Sequence, residues 1–211
     1  MWPDTGKTSE LLVAVKQGDP DAVDRLFERH RESLRRMVHL RLDRAISQRV
    51  DASDIVQETL LEASQRLEGY LENPVLPFHL WLRHIARDHV IDAHRKHRLA
   101  QARSVDREEP RSQRAFRDRS SVELLTQLEA EGLTPGAAAI RHELEIRFQA
   151  ALEKLDSEDR EVILMRHFEQ LSNQDVAKAL GLTEPAAGMR YLRAIRRLRA
   201  LLGTDRGDKE P

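Results

Sequence analysis

Apolar residues recur at helical spacing along most of the chain, and no stretch alternates apolar and polar positions with a period of two. Glycines and prolines fall mostly between these periodic segments, where they end helices. The pattern predicts a first helix over about residues 9–17, which ends at Gly18-Asp19-Pro20. A longer helix follows from about Asp21 into the forties. Its apolar stripe consists of Val23, Leu26, Phe27, Leu34, Met37, Val38 and Leu42.

Two more helices are predicted before residue 100. The acidic and polar cluster at residues 51–54 is typical of a helix N-terminus, because such side chains accept hydrogen bonds from the first backbone amides. The helix that it opens extends to about Tyr70, and Pro74 and Pro77 then break the chain. A further helix is predicted over about residues 78–98.

The region after residue 100 changes in composition. Gln101–Ser121 is rich in arginine, serine and acidic residues and poor in apolar ones, so it cannot bury enough surface to fold by itself. We interpret residues 101–136 as a flexible linker with one weak helix over residues 122–131. The predicted fold is therefore all-α, with two small helical domains at residues 9–100 and 137–203 and a frayed tail.

A helix-turn-helix is predicted in the second domain. Ser172 caps a short helix over residues 173–180, and Gly181 supplies the left-handed residue with which helices often end. Thr183 caps the next helix, and Pro185 lies in its first turn, where the missing N–H is not needed. Two helices joined by so short a turn form this motif.

The second helix of this motif has two distinct faces. Its packing face consists of Ala187, Tyr191, Leu192, Ile195, Leu198 and Leu202. The other positions carry Arg190, Arg193, Arg196, Arg197 and Arg199. An arginine-rich recognition helix suits a DNA major groove bordered by phosphates. An ordinary helical hairpin with a solvated face is the alternative.

Composition excludes several classes of protein. The 211 residues include no cysteine, which removes disulfides, thiol catalysis and cysteine-bound zinc. The chain has no run of about eighteen apolar residues, which is the length that a helix needs to cross a bilayer. The N-terminus lacks the charged-then-apolar order of a signal peptide, so a cytoplasmic protein without membrane contact is expected.

The net charge of -1 conceals two basic blocks. Residues 78–119 carry a net +5 and residues 183–211 a net +3, whereas residues 1–77 and 120–182 carry -3 and -6. Basic blocks favour polyanions because each neutralised phosphate releases counterions. Two solvated helix faces would also explain them, but two separate blocks suggest two anchoring points on one extended partner.

The helix over residues 54–70 has an acidic, amide-bearing face. It consists of Asp54, Gln57, Glu58, Glu62 and Gln65. Such a face is either simply solvated or a docking surface for a basic partner protein.

The helix over residues 78–98 combines a core stripe with a basic side. Phe78, Trp81, Leu82, Ile85 and Ala86 are expected to pack inward, and Arg83, Arg87, His94 and Arg98 share another side. Trp81 is open to two interpretations, as a core residue or as a base-stacking one. Five of the nine histidines lie between His79 and His97, but their spacing assembles no tidy ligand set. No metal site and no cofactor are predicted.

Together these segments resemble a known family. The segment Asp51–Thr59 is similar to region 2.2 of the extracytoplasmic-function (ECF) sigma factors, which belong to the sigma-70 superfamily of bacteria. The segment Phe78–Asp92 is similar to their regions 2.3 and 2.4, and Leu155–Leu202 to their region 4. On this resemblance the first domain is region 2-like and the second is region 4-like.

The resemblance implies a dissociable, non-catalytic subunit that directs core RNA polymerase to promoters and assists promoter melting. It assigns Asp54, Gln57 and Glu58 to the polymerase contact. In the region 2-like domain the resemblance assigns binding of the -10 element to Trp81, Arg83, Arg87, Arg95 and Arg98. It also makes the loop over residues 69–77 a candidate pocket for a flipped base. In the region 4-like domain the resemblance assigns binding of the -35 element to Thr183, Arg190, Arg193 and Arg197.

Two departures from the family pattern affect DNA recognition. Asp88 stands where the family often has asparagine, and the recognition-helix tip is Ala186-Ala187-Gly188, with few base-reading side chains. A stand-alone helix-turn-helix regulator and a helical His/Asp metalloenzyme are the rival interpretations. An anti-sigma factor is a further candidate partner, and the residues leave its existence open.

Overall fold

The computed structural model describes residues 1–42, 46, 49–103 and 138–204, with side chains described except at 98–103, 138–145 and 204. The chain divides into two compact units, Met1–Arg114 and Ala115–Pro211. Both units are helical in their described parts, which confirms the predicted all-α class. Residues 104–136 of the predicted linker, with the weak helix over 122–131, lie outside the described residues, as does the tail beyond residue 204.

Four helices are described in the N-terminal unit: α1 (Thr5–Lys16), α2 (Ala22–His39), α3 (Ala52–Glu72) and α4 (Phe78–Arg103). Helices α2, α3 and α4 pack against one another, and α1 packs on α2. Helix α1 begins earlier than predicted because the Asp4 carboxylate caps it, accepting a hydrogen bond from the Lys7 amide at 3.0 Å. Helix α4 continues beyond its predicted end and includes the first three residues assigned to the linker.

An aromatic cluster joins the last turn of α3 to the first turn of α4. Trp81 stacks on Tyr70 with ring centroids 4.6 Å apart, and Phe78 meets Tyr70 edge-on at 5.5 Å. The Tyr70 hydroxyl donates a hydrogen bond to the Leu76 carbonyl at 3.1 Å, which holds the loop between the two helices. The cluster therefore fixes the angle at which α4 leaves α3.

A buried histidine lies where α1 meets α2. His30 is only 1% exposed, and its Nε2 lies 3.2 Å from the Thr8 hydroxyl. Burial, reinforced by the nearby charges of His79 and Arg29, lowers the pKa of His30 to about 4. The imidazole is therefore neutral at physiological pH.

Helices α5 (Ala138–Glu153), α6 (Ser157–Ile163), α7 (Asn173–Leu180) and α8 (Glu184–Thr204) are described in the C-terminal unit. A π-helical turn, Leu164–Phe168, extends α6. Helix α8 packs against α5, α6 and α7, and Phe148 meets Phe168 at 5.9 Å in the core. Across the described residues, no helix combines the length and the apolarity that crossing a membrane requires.

The predicted helix-turn-helix is confirmed in its local geometry. Ser172 caps α7 by accepting a hydrogen bond from the Asp175 amide at 3.0 Å, and Gly181 ends that helix with a φ of 64°. The Leu182 amide donates to the Ala177 carbonyl at 2.9 Å, which closes the turn. Thr183 caps α8, accepting a hydrogen bond from the Ala186 amide at 3.4 Å.

Gly188 of α8 lies beside Asn173, the first residue of α7. A Cβ at Gly188 would lie 3.5 Å from Nδ2 of Asn173. That same Nδ2 donates a hydrogen bond to the Glu184 carbonyl at 2.8 Å. The start of α7 is thereby fastened to the start of α8, which holds the recognition helix in position.

Candidate protein and nucleic-acid interfaces

The predicted acidic face of α3 is a surface of the N-terminal unit. Asp54, Gln57 and Glu58 are all exposed. Leu61 lies among them on the same face and is 63% exposed. Sequence reasoning missed Leu61, although it was detectable as an apolar residue outside the packing stripe of this helix. A carboxylate- and amide-bearing surface is complementary to a positively charged protein surface.

His89 of α4 lies beside this acidic face. Its Nε2 is 2.9 Å from the Glu62 carboxylate, and its Nδ1 is 3.5 Å from that of Glu58. Arg66 also pairs with Glu62, at 2.8 Å. Glu62 is therefore held within the protein, whereas Asp54 and Gln57 remain directed to solvent at the other end of the face.

Trp81 has a core role with one side partly accessible. Its ring is only partly buried while it stacks on Tyr70. In the adjoining loop Val75 is 79% exposed. The core interpretation of Trp81 is thus supported, and the accessible part of the ring stays available for a second contact.

The basic side of α4 differs from the predicted exposed surface at two positions. Arg83 is only 2% exposed, so its side chain is part of the packed interior rather than of an exposed basic surface. His94 also turns toward the protein, since its Nε2 lies 2.9 Å from the Arg41 carbonyl oxygen. The physical reason is that α4 packs against both α2 and α3, which buries a wide face.

The remaining arginines predicted on α4 have varied surroundings. Arg87 is half-buried, with Nη2 3.8 Å from the Asp88 carboxylate. Arg95 is exposed and pairs with Asp92 at 3.0 Å. The side chain of Arg98 lies outside the described residues. Helix α4 therefore presents a mixed polar surface, along which His84, Asp88, Ile91 and Arg95 form the exposed line.

Histidine and carboxylate groups assemble no metal centre within the described part of the chain, where no group of three could hold an ion. His79 illustrates why the sequence cluster does not converge. Its ring is buried and lies 5.9 Å from that of Trp2, away from the exposed line of α4.

The arginines of α8 fall into two groups. Arg190 pairs with Glu158 at 3.0 Å, and Arg197 pairs with Asp156 at 2.7 Å and with the buried Asp159. The hydrogen bond with Asp159 raises the pKa of the Arg197 guanidinium above its ordinary value. Both arginines therefore attach α8 to the acidic first turn of α6.

The second group of arginines faces solvent. Arg193, Arg196 and Arg199 are exposed, and no carboxylate among the described side chains pairs with them. The resemblance also assigned Thr183 to DNA binding. Thr183 is exposed, and its hydroxyl caps α8. The outward side of α8 therefore carries positive charge that no described carboxylate pairs with.

Comparisons with known proteins agree with these two units. The family model for Sigma-70 region 2 matches residues 26–100, and the model for Sigma-70, region 4 matches residues 145–198. The RNA polymerase sigma factor CnrH of Cupriavidus metallidurans is 32% identical over 162 residues, which cover 74% of this chain and 75% of that protein. The ECF RNA polymerase sigma factor BldN of Streptomyces coelicolor is 25% identical over 203 residues, which cover 96% of this chain and 68% of that protein.

A solved structure extends the similarity to the fold. The structure of CnrH in complex with the cytosolic domain of CnrY matches with a TM-score of 0.60 and 25% identity, covering 96% of this chain and 99% of that one.

The chain belongs to the sigma-70 family and is an ECF RNA polymerase sigma factor. Sigma factors are regulatory, non-catalytic proteins that act in transcription initiation. The rival interpretation as a stand-alone regulator gave no role to the acidic helix α3, which lies inside the region 2 match.

Proposed function

We propose that the exposed acidic face of α3 is the surface by which this sigma factor binds core RNA polymerase. Asp54 and Gln57 would make the main polar contacts. Glu58, whose carboxylate also lies 3.5 Å from His89, would add a third, and Leu61 would contribute an apolar contact next to Glu58. The observation that carries this assignment is that Asp54 and Gln57 stay exposed while Glu62 on the same helix is already held by His89 and Arg66. Groups that are not engaged within the protein are available to a partner.

We propose a division of labour for promoter DNA. The exposed line of α4, including Arg95, with Arg87, Arg98 and the accessible part of Trp81, would contact the -10 element. Arg193, with its exposed neighbours on α8, would contact phosphates of the -35 element. The ion pairs of Arg190 and Arg197 support a different role for these two arginines, which is to orient α8 on α6.

An anti-sigma factor is a further proposed partner. The matching structure of CnrH contains the cytosolic domain of CnrY, and this chain is similar to CnrH over most of its length. Since the polymerase that it would serve works in the cytoplasm, we expect the protein there.

The test is a binding assay with purified core polymerase. Asp54→Ala combined with Gln57→Ala is expected to weaken binding about tenfold, since it removes two hydrogen-bonding side chains that each contribute about 0.5–1.5 kcal/mol. Glu10→Ala combined with Gln17→Ala removes the same two chemical groups, a carboxylate on α1 and an amide at the residue that follows it, and serves as the matched control. Unchanged affinity of the α3 variant, with its helical content intact, would reject the docking surface.

A further inference from the structure

Exposed side chains at the start of the recognition helix are mostly apolar. Ala187 is fully buried in the C-terminal unit. Pro185, Ala186 and Met189 are exposed instead, Met189 to 53%. We name these three residues the apolar tip of α8. The sequence predicted a tip with few base-reading side chains and Ala187 on the packing face, and the structure confirms that Ala187 is buried while Ala186 is exposed.

Arginines continue the apolar tip along the same side of the helix. Arg193 follows Met189 by four residues and Arg196 follows it by seven, which are spacings that share a helix face. Both arginines are exposed and have no carboxylate partner among the described side chains. An apolar end that merges into positive charge complements a major groove, where phosphates flank the base edges.

We propose that Ala186 and Met189 recognise thymine methyl groups in the major groove of the -35 element. The C5-methyl of thymine is the apolar group that a base pair presents there, and alanine-type side chains contact it. Neither Ala186 nor Met189 has a strong hydrogen-bonding group, so apolar contact is the discrimination that they supply. The unbranched methionine side chain adapts to the position of the methyl group. This inference rests on the proposed function of α8 in DNA binding.

The experiment isolates the methyl group. Core polymerase reconstituted with the full chain first selects duplexes from a library whose -35 window is randomised. In a selected duplex each thymine is then replaced by uracil, which removes only the methyl group and keeps the base-pairing groups. We expect enrichment of thymine in the selected window and about fourfold weaker binding for each contacted methyl that is removed.

A pair of variants assigns the contact to one residue. Met189→Ala is expected to bring the ratio of thymine to uracil affinity close to one at its contact position. Leu192→Ala is the matched control, because Leu192 is 51% exposed on the same helix but lies farther from the tip. It is expected to keep the wild-type ratio.

Three results would overturn the inference. Equal binding of the thymine and uracil duplexes would reject methyl recognition, and it would be the expected result if the tip docked a protein instead. An unchanged ratio in Met189→Ala would reject the assignment of Met189. If the reconstituted enzyme selects no duplex beyond those that core polymerase selects by itself, the proposed function fails, and the inference fails with it.

Discussion

Two long helices, α4 and α8, both contain several arginines but differ in how far these side chains are exposed. Between residues 78 and 97, α4 buries nine side chains, and Arg83 is one of them. Between residues 184 and 203, α8 buries only Ala187, Ala194, Leu198 and Leu202. Helix α4 packs against α2 and α3 through a wide face with many large side chains, whereas α8 packs against α5, α6 and α7 through a narrow stripe that includes two alanines. Arginine content therefore does not locate a nucleic-acid surface unless the width of the buried face is known.

Acidic residues sharpen the contrast. The first turn of α6 engages Arg190 and Arg197, and it leaves Arg193 and the exposed arginines beside it for an external partner. On α4 the exposed arginine, Arg95, already pairs with Asp92 on its own helix. On α8 Arg193, Arg196 and Arg199 have no carboxylate partner among the described side chains, whereas on α4 Arg95 is paired with Asp92 and Lys96 is exposed without a described ion pair.

The largest expected effect is the loss of a buried arginine. Arg83→Ala is expected to lower the free energy of unfolding by about 2–3 kcal/mol, because it removes a packed side chain from the interior. Arg193→Ala should change that free energy by less than about 0.5 kcal/mol. It should instead reduce the slope of log affinity against log salt by about 0.9 in binding of the polymerase complex to promoter DNA.

Urea denaturation and promoter binding at several salt concentrations measure the two quantities on both variants. Either of two results would contradict this contrast between α4 and α8. Arg83→Ala would keep full stability but reduce the salt dependence of promoter binding, or Arg193→Ala would destabilise the protein.

A second expected effect is acid sensitivity of the N-terminal unit. Because the pKa of His30 is about 4 in the folded protein and 6.5 ordinarily, the unfolded chain binds the proton more readily between these values. Stability should therefore fall as pH drops through this range, by about 2 kcal/mol between pH 7 and pH 5. Unfolding can be followed by tryptophan fluorescence, since Trp2 and Trp81 both belong to this unit.

Two histidine variants test the cause of this pH dependence. His30→Gln should remove most of it, whatever the variant does to stability at neutral pH. His84→Gln changes an exposed histidine of α4 and should preserve it. Identical pH profiles of the two variants would contradict the assignment.

The smallest expected effects concern two glycines of the C-terminal unit. Gly181→Ala should destabilise it by about 1–2 kcal/mol, because the φ of 64° is strained for a residue with a Cβ. Gly188→Ala should stabilise it by up to about 1 kcal/mol, since alanine favours the helix and its Cβ would lie 3.5 Å from Asn173, an ordinary contact. Thermal unfolding followed by circular dichroism measures both, and equal signs would contradict this account of the turn.

Local features were predictable from the sequence. Helix α7 spans Asn173–Leu180 as predicted, and Gly181 has the left-handed conformation expected after it. Helix caps and helical periodicity depend on residues that are close together in the chain, so both can be identified from the amino-acid sequence alone. The acidic face of α3 was found for the same reason, because Asp54, Gln57 and Glu58 are neighbours on one helix.

The sequence by itself determined the all-α class, most helix ends and the resemblance to the ECF sigma factors, since each of these depends on short-range pattern. Only the tertiary structure decided which charged side chains are available to partners. Arg197 pairs with Asp156 across 41 positions of the chain, and Arg83 is buried within the N-terminal unit. The physical reason is that periodicity defines the faces of a helix, whereas the packing of other helices decides which of those faces water and partners can reach.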